Sequence, residues 1–195
     1  MNSPAETMDI LLDQHELAAG IDRLASDVRL ATAGKPLLIV GVLTGSIVVV
    51  ADLIRRLDGP VQVAMVWASS YRGSTTSPGR LELHLETLPK VIGQHILVVD
   101  DIFDTGHTLQ AILERIGALG AASVRSLVLL EKEGRAEVDI RPDFVGFRIP
   151  DRFVVGYGLD YDGAWRQLPH LAALDESEIA GLPRIPVVRQ TGGDG

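Results

Sequence analysis

The sequence predicts an α/β fold, a parallel sheet flanked by helices, in one domain spanning residues 1–195. Two observations carry this. Through residues 37–130, apolar runs of strand length alternate with stretches whose apolar residues recur every three or four positions. Where run gives way to recurrence, the chain twice passes through a short turn of Thr, Ser, Gly or Asp. A parallel sheet puts such turns at the carboxyl ends of its strands, and right-handed crossovers are expected between them.

Residues 1–8 read as a frayed arm. Over residues 16–33, Leu17, Ile21, Leu24, Val28 and Ala31 fall on one helix face, and Gly34 ends it. Residues 37–42 are wholly apolar behind Lys35-Pro36, which suits a strand covered on both faces. Leu43-Thr44-Gly45-Ser46 then leads to Ile47, Val50, Ala51, Ile54 and Leu57, the face of a second helix closed by Asp58-Gly59-Pro60. That junction is either a candidate anion site or a plain strand-to-helix turn. Residues 61–68 give the next strand. Residues 69–80 are the most polar interior stretch, and a loop of that length reads as a lid or as an ordinary surface loop. Residues 81–88 alternate apolar and polar, the pattern of a hairpin arm beside it.

The richest stretch follows. Ile96-Leu97-Val98-Val99 runs into Asp100 and Asp101, then Asp104, Thr105, Gly106 and Thr108, then Leu109, Ile112, Leu113, Ile116 and Leu119 at helical spacing. This reads as a buried strand, a polar loop and an amphipathic helix. Free N–H groups at the helix start, with the Thr hydroxyls, can hold a phosphate. Asp100 and Asp101 face one crevice and can accept hydrogen bonds from a sugar diol or hold a divalent cation. Residues 123–130 form another core strand, ending at Glu131-Lys132. Short β segments at 144–149 and 153–157 flank Pro150-Asp151-Arg152, and 159–166 reads as a loop or a single helical turn. The tail from Asp175 is acidic, then rich in Pro and Gly, so residues 176–195 are expected to be partly disordered.

Composition narrows the functions open to the chain. Its 195 residues are ample for a core, and 46% apolar with 23% charged is ordinary globular usage. A net charge of −8 argues against nucleic-acid and anionic-membrane partners. The chain has no cysteine, which removes disulfides, thiolate zinc sites and a Cys nucleophile, and agrees with a cytoplasmic location. The first fourteen residues carry no Lys or Arg and no long apolar run, so no signal peptide is expected there. The Asp-Asp pair behind an apolar run also resembles the start of a phospho-acceptor receiver domain, but too few residues follow, and no further strand-end Asp stands at a suitable distance with a partner Lys on a later strand.

The stretch around Asp100 resembles the phosphoribosyl-pyrophosphate (PRPP) motif of type I phosphoribosyltransferases: four apolar residues, two acids, two apolar residues, then Asp-Thr-Gly-x-Thr. The run from Val145 to Tyr161, with Trp165-Arg166, is similar to the purine-binding end of hypoxanthine-guanine phosphoribosyltransferases. Ser70-Tyr71 resembles the opening of their catalytic lid. Together the matches cover about residues 10–172. The resemblance implies a Rossmann-like core over about residues 35–135, with a small hood from about 8–34 and 136–175. It also implies a homo-oligomer, a dimer or tetramer.

The same resemblance implies roles for single residues. Asp100 and Asp101 would hold the ribose hydroxyls of PRPP and, through water, a Mg²⁺. Asp104, Thr105, Gly106, His107 and Thr108 would cradle the 5′-phosphate, His107 only as part of the helix start. Asp104 would also be the general base near the purine N7, and its plainer reading is a helix N-cap. Lys132 would read the purine's six-oxygen, or else be a solvated surface Lys. Phe153 would stack on the base, or else be core, and the backbones of Val154 and Asp160 would pair with the base edge. The Asp160 carboxylate would bind a second Mg²⁺, and Arg166 would reach the pyrophosphate, together with Thr44 and Gly45. Relatives usually carry Lys or Arg where this chain has Thr44, and the Leu43-Thr44 peptide is expected to be cis. The implied reaction joins PRPP to hypoxanthine or guanine. The alternatives are a xanthine-preferring transferase and a non-catalytic RNA-binding regulator on the same fold; Asp104 and the negative charge disfavour the regulator.

Overall fold

The structure is a computed structural model describing residues 8–70, 81–175 and Ile179. The described elements are β1 (Asp9–Leu12), α1 (Gln14–Thr32), β2 (Leu37–Leu43), α2 (Ile47–Ile54), β3 (Val61–Ser70), β4 (Leu81–His84) and β5 (His95–Phe103). They continue with α3 (His107–Ala118), β6 (Ser123–Lys132), β7 (Phe144–Ile149), β8 (Phe153–Val155) and β9 (Leu171–Leu174). Six strands form one sheet in the order β4-β3-β2-β5-β6-β7, parallel except for the β3–β4 pair. A second, antiparallel sheet has the order β1-β9-β8.

Strands β2, β5 and β6 are apolar without alternation because both of their faces are covered. On one face Leu17, Ile21 and Leu24 of α1 and Val49 and Leu53 of α2 pack on Ile39, Leu97, Val99 and Leu127. On the other, Leu109, Ile112 and Ile116 of α3 pack on Leu38, Val40, Ile96 and Val98. The smaller sheet has its own cluster of Met8, Val155, Leu168, Ala172 and Leu174. Each such side chain, fully buried, contributes roughly 1.5–3 kcal/mol relative to exposure.

Helix α1 begins with a capping box: the Asp13 carboxylate accepts from the backbone N–H of His15 (2.7 Å) and Glu16 (2.8 Å). The Glu16 carboxylate accepts in turn from the Asp13 N–H (2.8 Å). The helix stops at Ala33 in the left-handed region (φ 50°), one residue before the Gly34 that sequence spacing singles out. Helix α2 is shorter than its apolar face suggests, ending at Ile54. Residues 159–166 form no helical turn. They are tight turns carrying two isolated bridges, Gly156–Leu159 and Tyr161–Ala164, with positive φ at Asp162 and Trp165. Strands β1 and β9 were not expected, because each is four residues long; β1 becomes a strand only through β9, some 160 positions away, and β9 is held between β1 and β8. The expected tail disorder concerns residues outside those described, Ile179 excepted.

The core makes a direct prediction. Ile39→Ala, at a fully buried site between α1, α2 and the sheet, lowers unfolding stability by about 2–5 kcal/mol. Ile92→Ala, at a site 66% exposed, changes it by less than about 0.5 kcal/mol. Urea unfolding of both variants tests the contrast.

Candidate active site

Parallel pairing of β2 with β5 aligns Gly41 with Val99, so the two strands release their loops side by side at one edge of the sheet. Between those loops lies a cavity of 330 Å³. Its walls include Leu43, Thr44 and Gly45 from the first loop and Asp100, Asp101, Asp104, Thr105, Gly106 and Thr108 from the second. Asp160 and Arg166, from the turns after β8, complete it. The Leu43-Thr44 peptide is cis, as expected.

Two glycines set how closely these parts approach. A Cβ on Gly45 would stand 1.5 Å from Asp101 Oδ2. Gly158, at φ 103°, lies against the Gly45 carbonyl, and a Cβ there would come within 2.2 Å of that oxygen. The post-β8 turn therefore rests directly on the first loop. A second link joins the same parts: the Tyr157 hydroxyl donates to the Asp52 carboxylate of α2. Burial and this bond together raise the Tyr157 pKa, so the phenol stays protonated.

The acids dominate the electrostatics. Asp100 is buried and Asp101 half-buried. Asp100 accepts from the Asp101 N–H (3.0 Å), and Asp101 from the Ile102 N–H (2.8 Å). Burial pushes the Asp100 carboxyl well above the usual carboxylate range, and the Asp101 charge adds to it. Burial also raises Asp101, partly offset by hydrogen bonds and by the charge of Arg166. Arg166 donates to the Gly158 carbonyl (2.7 Å) and pairs with Asp160 (2.8 Å), whose other oxygen accepts from the Gly163 N–H (2.7 Å). Among the described residues lining the cavity, Arg166 is the one Lys or Arg against four aspartates.

Helix α3 opens at Gly106 (φ 89°) with no side-chain cap, so Asp104 is not its N-cap. The Asp104 carboxylate instead accepts from Arg135 Nε (2.9 Å) and lies 3.5 Å from Lys132 Nζ. Lys132 is not the solvated surface residue of its plainer reading, since its side chain is 12% exposed. Lys132, Phe153, Val154 and His107 do not line the cavity. Lys132 adjoins it through Asp104. Phe153 is 41% exposed rather than core, edge-on to Tyr161 with ring centroids 5.6 Å apart. Val154 is buried and pairs in the smaller sheet with Ala173. His107 turns outward to Glu137 (3.0 Å). The backbone of Ser70 pairs with Leu81, and Tyr71 with the rest of the expected lid lies outside the described residues. Arg135 and Asp151, which contact this acid–base group, carried no signal in the sequence; only the fold brings them to Asp104.

A family model, the phosphoribosyl transferase domain, matches residues 7–162. A hypoxanthine-guanine phosphoribosyltransferase of Streptococcus pneumoniae is 38% identical over 168 residues, covering 86% of this chain and 93% of the relative. The chain belongs to the hypoxanthine-guanine phosphoribosyltransferase family. Solved structures agree. A hypoxanthine phosphoribosyltransferase from Staphylococcus aureus superposes with a TM-score of 0.84 at 34% identity, covering 91% of this chain and 97% of that one. A hypoxanthine-guanine phosphoribosyltransferase from Bacillus anthracis, with a HEPES molecule in its active site, gives 0.81 at 33% identity, covering 86% and 98%. The cavity at the ends of β2 and β5 is thus the candidate active site of a phosphoribosyltransferase. No described helix is long and apolar enough to cross a membrane.

The buried acid pair sets a pH dependence. A carboxyl whose folded-state pKa lies above its unfolded value binds more protons when folded, so its unfavourable effect grows as pH rises through that window. Asp100→Asn removes the charge at similar size. It raises the unfolding midpoint at pH 7, and the gain shrinks as the pH falls toward the ordinary carboxylate range. Thermal unfolding across pH reads both effects; an equal gain at every pH contradicts the assignment.

Proposed function

We propose that this enzyme transfers the 5-phosphoribosyl group of PRPP to N9 of hypoxanthine or guanine, giving IMP or GMP and pyrophosphate. The observation that carries the reading is one cavity joining an α3 N-terminus, an adjacent acid pair and, opposite, Asp160 with Arg166. Backbone N–H groups and hydroxyls of the Asp104–Thr108 loop hold the 5′-phosphate, and Asp100 and Asp101 accept from the ribose hydroxyls. Arg166, with the amides near Thr44 and Gly45, meets the pyrophosphate; the guanidinium's fixed fork suits a group with several oxygens. Asp104, Lys132 and Phe153 form the purine side. Lys132 donates to the six-oxygen and Phe153 stacks on the ring.

The C1′–O bond breaks with its electron pair leaving on pyrophosphate, and the purine N9 lone pair closes the new C1′–N9 bond. Asp104 takes the proton from N7 and returns it in the reverse direction. With Asp104 paired to Arg135 and Lys132, three aspartates against one guanidinium would still repel a polyphosphate, so the donor set fits Mg²⁺, which Asp160 and, through water, Asp100 and Asp101 would hold. Bound there it supplies positive charge to the departing pyrophosphate. Nucleic acid has no place in this reading, and a chain without cysteine suits a reducing cytoplasm. A homo-oligomer is part of the proposal, supported by Val63 (45% exposed) and Trp67 (56% exposed) on one face of β3.

Pyrophosphate release from PRPP, with hypoxanthine, guanine, xanthine, adenine or uracil offered in turn, tests the assignment. Turnover with the first two is expected and is lost when EDTA removes the metal; no purine turnover sinks the reading. Asp104→Asn lowers kcat by roughly 10²–10⁴-fold if it is the general base, and an unchanged rate removes that role.

A further inference from the structure

Three contacts fasten the segment between β6 and β7 to the loop that opens α3. The Glu137 N–H donates to the Thr105 carbonyl (2.9 Å), and the Glu137 carboxylate meets the His107 ring (3.0 Å). The third contact is Arg135 Nε with Asp104 Oδ1 (2.9 Å). Arg135 belongs to a square of alternating charge. Its guanidinium also lies 3.6 Å from Asp151, while Lys132 Nζ lies 3.2 Å from Asp151 and 3.5 Å from Asp104.

Each charge in this square therefore has two partners, and the distances rank them. Asp104 is held more tightly by Arg135 than by Lys132, and Lys132 more tightly by Asp151 than by Asp104. An isolated Asp104 and Lys132 would close on one another, because a carboxylate is a far stronger acceptor for an ammonium than a neutral purine carbonyl. Arg135 and Asp151 oppose that closure by offering each a competing partner.

We propose that Arg135 and Asp151 are positioning residues that keep Asp104 and Lys132 apart, so that the pair can engage N7 and the six-oxygen of one purine at the same time. The inference rests on the purine reading given above and deepens it. Neither residue touches the reacting atoms; each acts through its partner. The square selects for a base with a proton donor at N7 beside an acceptor at C6, which is the pattern of 6-oxopurines and not of adenine.

Steady-state kinetics of Arg135→Gln, Asp151→Asn and the double variant test this, with purine and PRPP varied separately. Each single variant raises KM for hypoxanthine on the order of tenfold, the low end for charge-assisted bonds at partly exposed sites. KM for PRPP stays within about twofold. The double variant costs less than the product of the singles, since both changes release the same closure. Unchanged purine KM in both single variants overturns the proposal, as does a parallel rise for PRPP and purine with a lowered thermal midpoint. A wild type that turns over no 6-oxopurine removes the parent reading and this one with it. An active wild type with unaltered variants removes this one alone.

Discussion

The site depends on one constraint, the parallel alignment of β2 and β5. Both faces of each strand are covered, and the side chains on them interlock with α1 and α2 on one side and α3 on the other, so a slip by one residue would break close packing on both faces at once. The loops that follow are thereby brought to the same edge, and every polar side chain lining the cavity except those of Asp160 and Arg166 comes from these two strands and their loops. Gly45 then sits against Asp101, and Gly158 against Gly45, so the turns after β8 are placed by contact with the first loop.

That placement has an electrostatic consequence. Asp100 and Asp101 are carried toward the interior by the last residues of a buried strand and cannot be fully solvated there. Their desolvation is costly, and a cation or a hydroxyl donor placed beside them would offset it. Arg166 is fixed at the cavity wall by its contacts with Asp160 and the Gly158 carbonyl.

The core was legible because its signals are local. The apolar runs of β2, β5 and β6 and the helical spacing of α1 and α3 need no partner to be recognised, and the Asp100–Thr108 stretch declares its chemistry by residue order alone. Legibility failed where meaning comes from distant pairing. β1 and β9 are two short pieces that are read as strands only once β9 is seen between β1 and β8. Tyr157 reads as core until its hydroxyl is seen to reach Asp52. Asp104 looked like a cap because the loop before a helix usually supplies one, yet Arg135, 31 residues on, takes its carboxylate instead. Nothing in a line of residues marks Arg135 as a partner of Asp104, or Asp151 as a partner of Lys132 and Arg135.

The contact of Gly158 with the Gly45 carbonyl, backed by the Tyr157–Asp52 bond, also bears on how such a protein can be rebuilt. Two loops far apart in the chain share one surface with no side chain between them to absorb a misfit. They are a single module for recombination. A chimaera that imports the 156–166 turns from a relative must bring the 43–46 loop from the same parent, or the seam will fall through the middle of the site.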